Sequence, residues 1–242
     1  MEQKLRFGEV VEGTVEVLQR NWQPVFVYVG VLTAVGALLE WASLAFADDV
    51  PALSGGFEWV PVMLGIGAGI AGIAIFFLAV AAQYLLWEAL LRREGLGEHF
   101  ARHRYLAFFG QMILVSIGTS FGYVLLLIPG LIFAARWSMA PAFLVGNDQG
   151  LIEAMSNSWD AVRGNTTPIA LTYLVGIVAV LVVAGGAEAA TAWDAGGTVF
   201  NLASIALSQF ASQIGVALAI ALGVFLFRRL HGAQVGVSEV FA

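Results

Sequence analysis

Long apolar runs separated by short polar segments occupy most of the chain, and this pattern predicts an all-α membrane protein. A spanning helix needs about 20 mostly apolar residues, with a range of about 17–25 and more when the helix is tilted. Six runs meet or approach this length, so we predict one polytopic membrane domain over residues 1–242. The second and sixth runs are long enough to tilt or to extend past the membrane, and the fourth is short. The predicted spans are Pro24–Ala47, Pro61–Leu91, Tyr105–Ile128, Leu131–Gly146, Pro168–Gly186 and Val199–Phe227.

Lysines and arginines are concentrated at the termini and in every second loop, and this distribution sets the predicted orientation. Cytoplasmic loops of membrane proteins carry an excess of these residues. With six spans, ten of the eleven basic residues lie on the same side as the two termini, so we predict a bacterial inner-membrane protein with cytoplasmic termini. The loops of the opposite side carry Asp48, Asp49, Glu58 and Asp194 instead. The ten are Lys4, Arg6, Arg20, Arg92, Arg93, Arg102, Arg104, Arg163, Arg228 and Arg229.

A Pro-Gly pair divides the central apolar stretch. If residues 125–146 formed one kinked span, Arg163 and the pair Arg228–Arg229 would move to the outer side. Proline disfavours helix at the residue before it, and glycine supplies turn conformations. We therefore predict two antiparallel helices joined by an outside turn at Pro129 and Gly130.

Two amphipathic segments, one before the first span and one before the fifth, share a pattern. Each is predicted to be an interfacial helix that leads into a span beginning at a proline, where the missing N–H has no partner in any case. The spacing predicts a weak internal repeat in which both copies have the same orientation. The second copy has an apolar stripe formed by Ile152, Met155, Trp159 and Val162. The matched polar positions and prolines are Glu9 with Glu153, Asn21 with Asn165, and Pro24 with Pro168.

Composition supports the membrane interpretation. Hydrophobic residues make up 60% of the chain and charged residues 12%, whereas a soluble domain carries about 25% charged residues. There is no cysteine, which excludes disulfides and thiolate metal sites. The formal charge of −6, with basic residues only in short clusters beside apolar runs, does not indicate a nucleic-acid partner.

Arg136 is the one basic residue within a predicted span. A charge near mid-membrane costs at least about 2.5–3.5 kcal/mol on insertion scales, so it needs a partner or a route to the surface. We consider three roles for it. It forms a packing ion pair with Glu40 or Glu188, it binds an anionic headgroup or substrate, or it snorkels to the outer surface.

Catalytic signatures are absent from the sequence, and no cofactor is predicted. There is no glycine-rich phosphate loop and no nucleophile elbow. His99 and His103 lie on one helical face but lack a third ligand nearby in sequence, so no metal site is predicted. Small residues in helices mark packing faces, within one subunit or between subunits of a homo-oligomer. These are Gly65, Gly67, Gly69 and Gly72, then Gly118 and Gly122, and then Gly215, Ala219 and Gly223.

The central stretch resembles a bacterial membrane-domain family. The likeness is carried by Ile128-Pro129-Gly130, the run from Phe133 to Trp137, Pro141, Trp159 and Asn165. Members include the membrane part fused to some glycerophosphodiester phosphodiesterases and stand-alone uncharacterised inner-membrane proteins. The sequence departs from the family at Gly146-Asn147-Asp148, where relatives usually carry a glutamate. The phosphodiesterase catalytic domain is missing from this sequence, so the resemblance implies fold and membrane location but no phosphodiesterase activity.

The leading functional hypothesis is a non-enzymatic inner-membrane module that binds membrane lipids or a partner protein and supports envelope homeostasis. The interfacial helices, the missing catalytic groups and the packing glycines favour it. The alternative is a transporter or channel for a small anionic or amphiphilic solute, with Arg136 lining the path. A membrane-embedded enzyme is the third hypothesis.

Overall fold

The computed structural model describes residues 4–47, 59–97, 104–125, 127–193 and 198–231. Every regular element in these ranges is helical, and no strand occurs among them. Residues such as Asp48, Asp49, Glu58, His99, Arg102, His103 and Asp194, on which some sequence predictions rest, lie outside these ranges. The helices are α1 (Phe7–Arg20), α2 (Trp22–Ala47), α3 (Trp59–Arg93), α4 (Tyr105–Leu125), α5 (Leu127–Arg136), α6 (Ala140–Gly146), α7 (Leu151–Ala161), α8 (Thr166–Trp193) and α9 (Thr198–Leu226), which a π-helical turn (Phe227–His231) follows.

Six segments are long and apolar enough to cross a membrane, which confirms the predicted fold class. Helices α1 and α7 precede the first and fifth of them, where interfacial helices were predicted. The boundaries differ from prediction by a few residues in most cases. The six segments are Trp22–Ser43, Gly69–Arg93, Tyr105–Val124, Leu127–Gly146, Thr166–Ala189 and Leu202–His231.

The predicted turn at Pro129 and Gly130 is wrong, because α5 already begins at Leu127. Both residues lie in the first turn of α5, where a proline removes no helical hydrogen bond. The two-helix interpretation still holds, since Gly118 packs against Trp137 while Gly122 packs against Gly130. These contacts run in opposite sequence directions, so α4 and α5 form an antiparallel pair.

The fourth crossing segment is broken near its middle. Helix α5 ends at Arg136 and α6 begins at Ala140, with a turn over residues 137–139. Every residue of α6 is buried, and Pro141 lies in its first turn. The sequence predicted one short helix here, and the structure has two, with Arg136 as the last residue of the first.

Helix α1 lies across one end of the bundle. The Leu5 amide donates a 2.8 Å hydrogen bond to Oδ1 of Asn165, which precedes α8. Gly13 packs against the ring of Phe225 near the end of α9. At the other end of α1, Arg20 forms a 3.3 Å ion pair with Glu94, just after α3. The helix therefore passes the ends of α8, α9 and α3 in turn.

The buried core is concentrated at this same end. Fully buried side chains lie at the end of α3, at the end of α9 and in α6, whereas the far halves of the spans are mostly exposed to the surroundings. The basic residues of the described ranges also gather here, since Arg20 and Arg228 both contact Glu94 and Arg104 contacts Asp148. We call this the basic end of the bundle.

Helices α1 and α7 begin in the same way, as the predicted repeat requires. The Arg6 amide donates to Glu9 Oε2 at 3.0 Å, and the Gly150 amide donates to Glu153 Oε2 at 3.4 Å. Each glutamate therefore satisfies a backbone N–H that has no partner in the helix. Buried asparagines, Asn21 and Asn165, follow both helices.

The predicted apolar stripe of α7 forms only part of its packing face. Ile152 is 69% exposed. The helix contacts the bundle through small residues, Ala154 and Ser158, together with Val162. Small side chains allow close backbone approach, which places the carbonyl groups of α7 within reach of α5.

The small-residue faces divide into two groups. Gly118, Gly122, Gly215 and Gly223 each approach another helix of the same chain, against Trp137, Gly130, Val180 and Trp87 respectively. Gly67, Gly69 and Gly72 of α3 have no other group of the described chain within 4 Å of an added Cβ atom. Packing within the subunit therefore accounts for the first group only.

Candidate functional site

A cavity of about 790 Å³ lies between the two halves of the bundle. Helices α4 and α5 form one wall, α8 and α9 form the opposite wall, and α3 closes one side. Residues Val11, Thr14 and Val15 of α1 also line it, so the interfacial helix closes it at the basic end. Its size is within the range of about 300–1,000 Å³ that is typical of small-molecule sites.

The cavity surface is more apolar than its residue types indicate. Thr119 donates its hydroxyl hydrogen to the Val115 carbonyl at 2.7 Å, and Thr172 donates to the Pro168 carbonyl at 3.0 Å. Ser212 does the same with the Ser208 carbonyl at 3.1 Å. These hydroxyl groups bond to their own helices and so present little polarity to a ligand. No charged side chain lines the cavity within the described residues.

The cavity has the length of one membrane leaflet. On α9 its lining runs from Ser212 to Leu222, which is about 15 Å at 1.5 Å per residue. The hydrocarbon core of a bilayer is about 30 Å thick, so this is roughly half of it. Val175 and Leu181 of the lining are 55% and 65% exposed, so the cavity is open to the surroundings along α8.

Arg136 lies beside this cavity but does not line it. Its Nη1 donates a 2.8 Å hydrogen bond to the Trp159 carbonyl. The last carbonyls of a helix lack partners within the helix, and the amide of Arg163 bonds to Asp160 instead of to Trp159. Arg136 therefore caps the end of α7, where a cation also opposes the helix dipole favourably.

Three aromatic rings surround this contact. The guanidinium carbon of Arg136 lies 5.1 Å from the centre of the Trp159 ring, a cation–π distance. Phe133 stacks on Trp137 at 5.1 Å, and Trp137 lies 6.0 Å from Trp159. We call Phe133, Arg136, Trp137 and Trp159 the Arg136 cluster. Trp137 also lines the cavity, so one indole ring connects the two features.

The predicted ion pair between Arg136 and Glu40 does not form. Glu40 accepts a 2.8 Å hydrogen bond from Nε2 of Gln209, and it lies about 27 Å along α2 from Trp22, far from the basic end. Glu188 lies about 33 Å along α8 from Thr166, equally remote. Arg136 was predicted to lie at the depth of Glu40. That prediction counted its distance from the outer end of the helix, starting at a turn at Pro129 and assuming an unbroken helix. The contact with α7 places it towards the basic end instead.

Ser158 links the broken segment to α7. Its hydroxyl group donates to the Arg136 carbonyl at 2.7 Å and accepts from the Met139 amide at 3.2 Å. Both backbone groups flank the break between α5 and α6, where helical hydrogen bonds are missing. Ser158 is fully buried, so water does not take the place of its hydroxyl group at these two backbone groups.

Replacing Ser158 with alanine is expected to destabilise the protein by about 1–3 kcal/mol, because it leaves two buried backbone groups without a partner. The measurement is thermal unfolding of the detergent-solubilised variant. Ser156→Ala is the matched control, since Ser156 lies in the same helix and is exposed. Equal unfolding midpoints for the two variants would contradict the bridging role.

The later motif residues, from Trp137 to Asn165, lie in three places. Trp137 and Trp159 belong to the Arg136 cluster, and Trp137 and Pro141 line the cavity. Asn165 holds the start of α1 instead. The cavity wall on α4 was not predicted. The available signal was the recurrence of Ser116, Thr119 and Tyr123 at helical spacing within an apolar run.

Residues 100–230, more than half of the chain, match the family model described as a domain of unknown function (DUF7847), and the chain belongs to this family. The matched region includes α4 to α9 and therefore the Arg136 cluster and most of the cavity wall. No curated protein and no solved structure matches the chain. The family description names no activity, so the resemblance to phosphodiesterase membrane domains stays a prediction.

Proposed function

We propose that this DUF7847 member is a non-enzymatic module of the bacterial inner membrane that holds a lipid tail in its cavity and so supports envelope homeostasis. The observation that carries the proposal is the cavity itself. It is apolar, one leaflet long and open to the surroundings along α8. A lipid tail has the same length and polarity, and lipid is the solvent around a spanning helix.

A lipid is favoured over a partner protein as the occupant. The hydroxyl groups of Thr119, Thr172 and Ser212 are already bonded to their own helices. A non-helical protein segment entering this space would bring backbone N–H and C=O groups that need partners, and the wall provides few of them. A hydrocarbon chain makes no such demand.

The proposed orientation has the basic end in the cytoplasm. Arg20, Arg104 and Arg228 contact acids at this end, and cytoplasmic segments are enriched in such residues. The bound tail enters along α8, and because the cavity is one leaflet long and adjoins the basic end, the headgroup of this lipid lies at the cytoplasmic surface. The transport alternative is less favoured, because it needs Arg136 on the path and this residue is not part of the described cavity lining.

Filling the cavity tests the proposal. Gly176 lines it, and a Cβ atom added there meets no other group within 4 Å. Gly176→Phe is expected to reduce co-purifying lipid roughly tenfold, since displacing two methylenes at about 0.8 kcal/mol each corresponds to about that factor. The measurement is native mass spectrometry of protein released from nanodiscs, with bound lipid counted per protein.

Gly185→Phe is the matched control. Gly185 lies on the same helix, has equally open space, and is not part of the cavity wall. Both variants exchange a mid-helix glycine for the same side chain, so their effects on helix propensity are alike. Wild-type lipid occupancy in Gly176→Phe, or equal loss in both variants, would remove the cavity as the lipid site.

A further inference from the structure

Arg136 differs from the other half-buried arginines of the described chain. Arg104 lies 2.7 Å from Asp148, and Arg228 lies 2.9 Å from Glu94, so each has a carboxylate partner. Within the described residues Arg136 has no acidic group within 4 Å and bonds only to the Trp159 carbonyl. A cation in a membrane protein is costly unless an anion compensates for it.

The guanidinium group also retains unused donors. Arginine has five N–H donors in a planar fork, and Nε of Arg136 is buried without a hydrogen-bond partner. A buried donor left unpaired costs free energy comparable to a lost hydrogen bond. Capping α7 therefore accounts for one donor. Nε is closed off from the surroundings, so the positive charge and the Nη2 donors are what a ligand can reach.

We infer that the Arg136 cluster binds the anionic phosphate group of a lipid whose tail occupies the cavity. Arginine binds phosphate through two parallel hydrogen bonds, for which its fork is preorganised. The Trp159 ring covers one side of the guanidinium group, and Phe133 and Trp137 pack beside that ring, so the site is partly withdrawn from water, which strengthens such bonds. The inference rests on the proposed function for the tail, but the anion site has its own evidence.

The placement of the two features fits a single amphiphile. Trp137 has one side in the cluster and also forms part of the cavity wall. The cluster adjoins the end of α7. Asp160 in the last turn of this helix and Arg163 just after it are solvent-exposed, so the cluster lies at the level of a polar surface. A headgroup there and a tail along α8 and α9 would place polar and apolar parts of the lipid in matching surroundings.

The experiment compares lipid selectivity in wild type and two variants. Protein is equilibrated with equal amounts of phosphatidylglycerol and diacylglycerol, which share their tails but differ in the phosphate group, and each bound lipid is counted by native mass spectrometry. We expect wild type to retain the anionic lipid roughly tenfold more, as one charge-assisted hydrogen bond implies. Arg136→Gln keeps a donor for Trp159 without the charge, and is expected to bring the ratio to about one by lowering retention of the anionic lipid. Arg136→Lys keeps the charge and is expected to retain part of the preference.

The outcomes separate the inference from the proposed function. Equal lipid ratios in wild type and Arg136→Gln, with a lower unfolding temperature in the variant, would overturn the inference and leave Arg136 as a cap of α7. If wild type binds neither lipid, the proposed function fails, and inorganic phosphate then tests the anion site directly. Stabilisation of wild type but not of Arg136→Gln by phosphate would assign the site to a free anion and overturn the lipid headgroup. No stabilisation of either protein would overturn the site itself.

Discussion

Replacing Glu94 with glutamine is expected to destabilise the protein by about 1.5–3 kcal/mol, which is the range for hydrogen bonds to a charged group. The side chain of Glu94 is 1% exposed. Its Oε2 lies 2.9 Å from Arg228 and 3.3 Å from Arg20, and its Oε1 accepts a 2.8 Å hydrogen bond from Asn21. Removing the negative charge leaves Arg228, which is 28% exposed, and Arg20, which is 56% exposed, with Glu16 as their remaining acidic partner. Breaking such a group from one side costs far more than an exposed pair contributes.

The effect is expected to be concentrated at the basic end, because Glu94 connects three parts of the chain there. Arg20 and Asn21 join α1 to α2, Arg228 follows α9, and Glu94 itself follows α3. We therefore expect α1 to detach first, which limited proteolysis near the N-terminus would detect before global unfolding. Thermal unfolding of the solubilised protein gives the overall loss.

Asp160→Asn is the matched control for Glu94→Gln. Asp160 pairs with Arg163 at 3.1 Å, but the two side chains are 63% and 70% exposed. Exposed pairs of this type contribute about 0.3–0.5 kcal/mol. Similar unfolding temperatures for the two variants would mean that Glu94 is solvated and does not join the helices.

The spans were predictable because each one is encoded locally. A run of about 20 apolar residues has few alternatives to crossing the membrane, since a helix satisfies all its backbone groups internally. The starts of α1 and α7 were predictable for a similar reason. Glu9 and Glu153 act on backbone groups only three residues away.

The partner of Arg136 was not predictable, because it is a backbone carbonyl. Every residue supplies such a group, so the sequence gives no sign that Trp159 offers one. The sequence instead pairs opposite charges, and that rule favoured Glu40. The choice was wrong because the break after Arg136 and the close approach of α7 through Ala154 and Ser158 depend on packing between distant segments.

The cavity could not be predicted from the sequence either, for a different reason. Its walls come from helices far apart in the chain, and its hydroxyl groups look polar until their bonds are known. Thr119 and Thr172 could have lined a hydrophilic path, and only their hydrogen bonds to Val115 and Pro168 make the wall apolar. Polarity of a site is thus a property of contacts and not of residue type alone.

Gly122→Val is expected to destabilise the protein by about 2–3 kcal/mol through overpacking. A Cβ atom at Gly122 would lie 2.8 Å from both the Cα and the amide nitrogen of Gly130, and 2.9 Å from a ring carbon of Phe133. The first two of these atoms belong to the backbone of α5, so no side-chain rotation relieves the clash. Helices α4 and α5 must therefore separate. Small residues in membrane helices normally allow the close approach that is lost here.

Separation of α4 from α5 is expected to disturb both functional features at once, because α5 carries Phe133 and Arg136 and leads directly into Trp137. We therefore expect Gly122→Val to lose bound lipid together with stability, measured by native mass spectrometry and thermal unfolding on the same preparation. Gly72→Val is the matched control, since a side chain at Gly72 meets no group within 4 Å. If both variants unfold at the wild-type temperature, α4 and α5 are not in contact at Gly122 and Gly130. The connection between the Arg136 cluster and the cavity then does not depend on this helix pair.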